Sequence, residues 1–219
     1  MEKIQLWIEF ILLYIGLPVA VALWFPNWSA IPVLWGGGLA AWGLLKAKST
    51  TKQEPLLFKD VDPVSLWKAV VIVLARFALC AALLTGLLYW RHPDWLLAFP
   101  KTMTDRWAIV IVLYPILSVF PQVIVYRVLF VKRYSSLFGY KPVAWMVGAF
   151  VFSLAHLTFW NSFSMAATFA GGLLFIRTYQ KTRSVWLNVL EHSLYGDFLF
   201  TIGWGVYFFH GGTRALLGQ

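Results

Sequence analysis

The chain has 219 residues, of which 60% are hydrophobic and 12% are charged, and its mean hydropathy is +0.72. The charged fraction is about half the ~25% that is usual in soluble domains, so the composition excludes a water-soluble protein. The net charge of +9 would suit nucleic-acid binding, but the basic residues lie at the ends of apolar runs rather than along one stripe. We therefore expect no nucleic-acid partner, and membrane lipids as the surroundings.

Apolar runs of membrane-spanning length recur along the chain, and they are continuous rather than alternating with the two-residue period of transmembrane strands. The last two runs are short, so we expect either one broken helix or two half-helices there. The sequence predicts an all-α, polytopic helical membrane protein with seven or eight transmembrane helices, in a single integral membrane domain over residues 1–219. The predicted spans are 4–25, 29–45, 66–90, 107–130, 143–160, 163–180, 184–198 and 199–210.

Basic residues are distributed unevenly between the two sides of these spans. If the N-terminus is cytoplasmic, about twelve Lys and Arg residues fall inside, and only Arg91, Lys101 and Arg106 fall outside. The positive-inside rule then predicts a cytoplasmic N-terminus.

Ionisable residues inside apolar runs are costly in lipid and are therefore functional candidates. Glu9 and Arg76 stand alone in the sequence, and for them we expect interhelical polar contacts or snorkelled side chains. The other candidates fall on the fourth, fifth and seventh predicted helices. They are Arg127, His156, Glu191, His192 and Asp197. Two histidines, an arginine and a carboxylate in consecutive polar faces predict one shared intramembrane site.

The motifs that contain these residues resemble those of the CPBP intramembrane proteases, also called the Abi or CAAX-protease family. That family carries a Glu-Glu-x-x-x-Arg motif, a Phe-x-x-x-His motif and a later His motif. Arg127, Phe152 with His156, and His192 match them in order and approximate spacing. The resemblance covers about residues 105–210.

The stretch from Ser118 to Tyr134 looks like one branch in particular, the glutamic-type proteases associated with bacterial C-terminal sorting tags such as JDVT-CTERM. The resemblance implies an intramembrane endopeptidase of a bacterial inner (cytoplasmic) membrane, acting on protein substrates with a transmembrane or C-terminal tail segment. It implies catalytic positions at Gln122, Val123, Arg127, His156 and His192.

The first motif departs from the family at its two glutamates, which fall on Gln122 and Val123 when counted back from Arg127. A family protease is taken to use the glutamate at the second position to deprotonate water, while the histidines orient that water or stabilise the oxyanion. Valine has no proton acceptor. Loss of a general base typically costs ~10² to 10⁴ in rate, so we expect a catalytically impaired chain.

Three explanations of Val123 are open. An inactivated variant of an active parent would leave the other site residues in place, as they are here, and we favour it. A natural pseudoprotease would bind a peptide or lipid-modified tail without cutting it. A relocated carboxylate would be Glu191 or Asp197, which point about 100° and about 140° away from His192 on a regular helix. Only a broken helix near Gly196 would bring Asp197 round.

The later His motif also departs from the commoner His-x-x-x-Asn form, because Gly196 stands in the asparagine position. Asn161 is a candidate for the missing amide, but we favour a helix cap as its role. Arg127 is expected to hold its helix by pairing with a carboxylate or with backbone carbonyls. Gly171 and Gly172 predict a small-residue packing face.

No cofactor is expected. Zinc held by two histidines and one carboxylate is a weaker alternative, because the sequence has no His-Glu-x-x-His helix. A transporter is a further alternative, since intramembrane charges and broken helices suit transport, although no repeat relates the two halves.

Overall fold

The computed structural model describes residues 3–25, 31–47 and 63–208. Every regular element within these ranges is helical, and none is a strand. Seven long helical segments follow one another in these ranges. They are α1 (Lys3–Trp24), α2 (Ile31–Ala47), α3 (Pro63–Arg91), α4 (Thr104–Phe138), α5 (Lys141–Leu154), α6 (Ser162–Thr182) and α7 (Val185–Ile202). Short helical turns lie at Pro93–Trp95, Ala98–Thr102, Leu157–Phe159 and Trp204–Phe208.

Four helical segments are long and apolar enough to cross a membrane by length and composition, namely α1, α3, α4 and α5 with the turn that follows it. Their outward faces are apolar: on α3, Leu79 is 63% exposed and Leu83 is 64% exposed. Exposure of such large apolar surfaces to water is unfavourable, whereas contact with lipid acyl chains is not. The prediction of an all-α, polytopic helical membrane protein is confirmed.

The predicted division of the last apolar stretch between Phe198 and Leu199 is wrong. Helix α7 continues through Gly196 to Ile202 and ends at Gly203, whose φ of 135° is open to glycine. A Cβ at Gly203 would lie 2.5 Å from the carbonyl oxygen of Trp95, so the close approach of these two segments also requires glycine. One 3₁₀ turn follows, and the end of the predicted span 199–210 lies outside the described residues.

Helix α4 is wound irregularly, which the sequence analysis did not anticipate. A π-helical turn begins at Pro115, and Ile124–Tyr134 is π-helical over 11 residues. Proline lacks an N–H and its ring clashes with the carbonyl four residues earlier, so it interrupts the regular hydrogen bonds of an α-helix. Wider π-helical turns are one form that such an irregular segment takes. Residues 121–131 are all buried, which makes this segment the centre of the molecule.

Side chains from α1 and α2 bond to carbonyls of α4. The indole of Trp35 donates to the carbonyl of Leu117, four residues before Pro121, at 3.0 Å. The phenol of Tyr14 donates to the carbonyl of Val125 at 2.7 Å. Irregular helical backbone is tolerated at membrane depth when neighbouring groups bond to it in this way.

An ion pair joins α1 to the far end of α4. Arg133 donates from Nε to the Glu9 carboxylate at 2.9 Å, and the Tyr134 phenol donates to the same oxygen at 3.3 Å. The expectation of an interhelical polar contact for Glu9 is confirmed.

Helices α5 and α6 are in close backbone contact at Gly172. A Cβ there would lie 2.9 Å from the Cα of Ala149, whereas a Cβ at Gly171 would meet only the Phe175 ring at 3.3 Å. The small-residue packing face therefore rests on Gly172, and it sets the separation of the two helices that carry Phe152 and Phe175.

Candidate active site

The two intramembrane histidines pack on one aromatic ring. The His156 and His192 rings stand edge-on to Phe152, with centroid distances of 4.8 Å and 5.4 Å. Phe152 is on α5, His156 follows the end of that helix, and His192 is on α7. The fifth and seventh predicted helices thus bring their histidines to the same place.

His156 lies just beyond α5, where the helix gives way to a short turn with φ of −96° and ψ of 5° at this residue. Its Nδ1 is 2.8 Å from the carbonyl oxygen of Phe152. Because a carbonyl can only accept, Nδ1 must carry the proton in this bond. The neutral imidazole therefore has its unprotonated nitrogen at Nε2.

His192 is 5% exposed and its ring stacks on Phe175, with 4.8 Å between centroids. Its Nε2 is 3.3 Å from the hydroxyl of Tyr114 on α4. The Tyr114 ring lies directly against the backbone of Gly196, where an added Cβ would be 2.6 Å from Cζ. Glycine at 196 thus makes room for the phenol that contacts His192.

Arg127 is fully buried, with 1% of its surface exposed. Its Cζ lies 4.3 Å from the Phe152 ring centroid and 5.5 Å from that of Phe175. Nη1 donates to the carbonyl of Tyr126 at 3.0 Å, and Nε has no hydrogen-bond partner. No carboxylate in the described ranges lies within ion-pair distance of it. Of the two partners expected for Arg127, the structure provides a carbonyl.

Gln122 and Val123 lie one turn before Arg127 on α4. Val123 is 1% exposed and belongs to the same apolar core as Phe152 and Phe175. Gln122 donates from Nε2 to Ser118 Oγ at 2.8 Å, and its carbonyl oxygen is buried without a partner.

Glu191 forms an ion pair with a residue of α3. Arg76 of α3 donates to its Oε1 at 2.7 Å and to the hydroxyl of Thr178 at 2.8 Å. The interhelical contact expected for Arg76 is confirmed, and its partner is a residue that the sequence analysis had considered as a relocated base.

Asp197 follows Gly196 on an unbroken helix, and its Oδ1 is buried without a hydrogen-bond partner. No hydrogen bond in the described part of the chain joins Asp197 or Glu191 to His156 or His192. The helix break that a relocated carboxylate at Asp197 requires is not present, so the structure gives that explanation no support.

Asn161 caps the start of α6. Its Oδ1 accepts from the backbone N–H of Ser164 at 2.8 Å, and Nδ2 donates to the carbonyls of Phe159 and Tyr207. The amide is thus used at the helix end and not on a histidine. This is the cap role that the sequence analysis favoured for Asn161.

The described residues do not bring together a donor set for zinc. No group of three or more His, Cys, Asp or Glu side chains that could hold a metal ion occurs among the residues with described placement. The two histidines contact aromatic rings, a carbonyl and a phenol instead.

Tyr114 and Phe175 both contact His192, and neither was identified as a site residue from the sequence. Both are aromatic residues inside apolar runs, where lipid-facing and core aromatics look alike. The one available signal for Tyr114 was Gly196, because a glycine inside a helix often marks the close approach of another group.

A comparison with protein families matches this same region of the chain. No curated protein and no solved structure matches the chain. Residues 104–196 match the family described as Rce1-like, Type II CAAX prenyl endopeptidase Rce1-like. The match begins at α4 and includes Arg127, His156 and His192, so this part of the chain is similar to a family of CAAX-type proteases.

Proposed function

We propose that the chain forms an intramembrane peptidase site for membrane-associated or C-terminally tagged protein substrates, and that it is catalytically impaired at Val123. The observation that carries this proposal is the state of Arg127. It is a buried guanidinium with no carboxylate of the described residues within ion-pair distance, and it packs on the ring that both histidines share. A buried charge is normally paired, so the site has the form of one from which a carboxylate has been removed.

The geometry supports distinct roles for the two histidines in peptide hydrolysis. His156 keeps Nε2 unprotonated and can accept a hydrogen bond from a water. If Tyr114 donates to Nε2 of His192, the neutral imidazole carries its proton at Nδ1 and can donate to the oxyanion. A glutamate one turn before Arg127 would take the proton from that water, and Val123 cannot.

The test is a cleavage assay with purified protein in detergent. The substrates are a prenylated peptide ending in a CaaX sequence and a transmembrane peptide with a C-terminal tag. We expect no cleavage by the unmodified chain, and cleavage by Val123→Glu that is lost with His156→Ala or His192→Ala. Val123→Gln is the matched control, because it has the same length without a base. Robust cleavage by the unmodified chain that survives both histidine substitutions would show that the site is wrong.

A second candidate function is binding without cleavage. It is favoured by the absence, among the described residues, of any carboxylate bonded to either histidine. A non-catalytic protein would retain the same peptides with the unmodified chain and release them intact. Retention that is weakened by Phe152→Ala, with no product from Val123→Glu, would favour this alternative.

We further propose an inner-membrane location with a cytoplasmic N-terminus, from the excess of basic residues on one side. The test is the labelling of single cysteines in a Cys80→Ala background. A cysteine in the loop between α2 and α3 should resist an impermeant reagent from outside, and its ready labelling would reverse the orientation.

A further inference from the structure

A polar cavity of about 240 Å³ lies away from the histidine site, at the turn that joins α4 to α5. Its polar lining comes from Ser135, Ser136, Lys141, Gln180 and Arg183, at the end of α4, the start of α5 and the end of α6. Helices α4 and α5 are both candidate membrane spans, so the turn between them must lie at a membrane surface. The cavity is therefore at headgroup depth.

The described residues that line the cavity are cationic or neutral. Lys141 and Arg183 contribute two positive charges, and none of these described residues is Asp or Glu. Neither cationic side chain has a hydrogen-bond or ion-pair partner in the part of the chain that the structure describes. Two uncompensated cations in one concave site attract an anion.

Gln180 adds neutral donors to this set. Its carbonyl oxygen accepts from the indole N–H of Trp145, which fixes the amide and leaves its N–H groups for another acceptor. The Ser135 hydroxyl donates to the carbonyl of Val131 at 2.6 Å. A ligand for this lining must bring several acceptor oxygens and negative charge, which a phosphate does.

Arg183 occupies a backbone position at which glycine would fit more easily. Its φ is 55°, in the left-handed region, where it ends α6. Glycine adopts that conformation without steric cost, whereas a long side chain does not. Arg183 thus lines the cavity although its left-handed backbone conformation is unfavourable for a residue with a side chain.

We propose that this cavity binds the phosphate group of an anionic membrane lipid, through Lys141 and Arg183. The proposal is independent of the peptidase assignment, because none of its residues contacts the histidine site. The cavity has room for roughly eight water molecules at their liquid volume, which accommodates a phosphate with a small polar headgroup. Basic pockets at the ends of transmembrane helices are known to take such headgroups.

The experiment counts bound phosphatidylglycerol by native mass spectrometry of the full chain in a mild detergent. We expect Lys141→Gln with Arg183→Gln to weaken binding about 10- to 30-fold, the effect of two cations near an anionic surface. Lys101→Gln with Arg106→Gln is the matched control, because it removes the same charge near the other end of α4. Equal weakening by both pairs would show only a general charge effect and would overturn the site.

A third variant keeps both cations. Ser136→Asp places a carboxylate in the cavity at an exposed position and should weaken phosphatidylglycerol binding similarly, with Ser136→Asn as its control. Unchanged binding by Ser136→Asp would overturn the proposal. Thermal unfolding in phosphatidylcholine micelles checks that each variant is folded.

Competition identifies the source of the phosphate. Glycerol 3-phosphate and inorganic phosphate should displace phosphatidylglycerol only weakly, because they lack the chains that hold the lipid at the surface. If either small anion bound tightly and lost its affinity in Lys141→Gln with Arg183→Gln, while lipid binding was unaffected, the ligand would be a free phosphate and the lipid proposal would fail.

Discussion

A carboxylate at position 123 should stabilise the protein relative to an uncharged side chain of the same size. Arg127 is 1% exposed, has one hydrogen bond to a carbonyl and leaves Nε without a partner. Position 123 is four residues earlier, about one turn along α4, where side chains are neighbours. We therefore compare Val123→Glu with Val123→Gln rather than with the parent, because both enlarge the core equally and only one adds charge.

Glutamine can also accept a hydrogen bond from the guanidinium, so the two variants differ only in the charge of the acceptor. A charge-assisted hydrogen bond is about twice as strong as a neutral one, so Val123→Glu should exceed Val123→Gln in stability by about 1 kcal/mol. For a chain of this length the difference corresponds to about 2–4 °C in Tm, measured by thermal unfolding in detergent.

The Arg127→Met background tests the reasoning. There the order of the two variants should reverse, since an unpaired buried carboxylate costs more than an amide. Equal Tm values for Val123→Glu and Val123→Gln in the parent background, or the same order in both backgrounds, would refute the pairing.

Three further outcomes follow from contacts elsewhere. Arg76→Ala should lower the free energy of unfolding by about 3–5 kcal/mol, because it leaves the fully buried Glu191 unpaired. Glu191→Gln should lower it clearly less, and urea or thermal unfolding in detergent compares the two variants. Gly172→Ala should lower the free energy of unfolding by about 1–3 kcal/mol, because the added Cβ would clash with the backbone of α5. Gly171→Ala should be nearly neutral in the same assay. Gly196→Ala should displace the Tyr114 phenol and broaden or shift the His192 imidazole resonances, which an unchanged NMR spectrum would contradict.

The helical class and most helix positions could be predicted because apolar length alone specifies a span. The winding of α4 could not, since nothing in Ile124–Tyr134 separates a π-helical from an α-helical sequence. The last boundary was misplaced because a weak apolar run was divided at Phe198, whereas Gly203 is the residue that ends α7.

The ionisable residues of the candidate site could be predicted, because such residues are rare inside membrane-spanning apolar runs. Arg127, His156 and His192 stand out against apolar neighbours, and the structure places all three against Phe152. The pairing of Arg76 with Glu191 was beyond reach, because no sequence pattern states that α3 lies beside α7. The catalytic roles of Arg127, His156 and His192 stay a prediction.

The packing around Arg127 explains how the fold persists without a carboxylate at position 123. Two aromatic faces and one carbonyl surround the guanidinium, and a desolvated cation–π contact contributes about 2 kcal/mol or more. The charge is therefore held in place by groups that take no part in proton transfer. Because Phe152 also contacts both histidines, the same packing keeps the imidazoles in position while valine stands at position 123. These contacts do not involve a carboxylate at position 123, so a substitution there tests the proposed proton transfer without removing them.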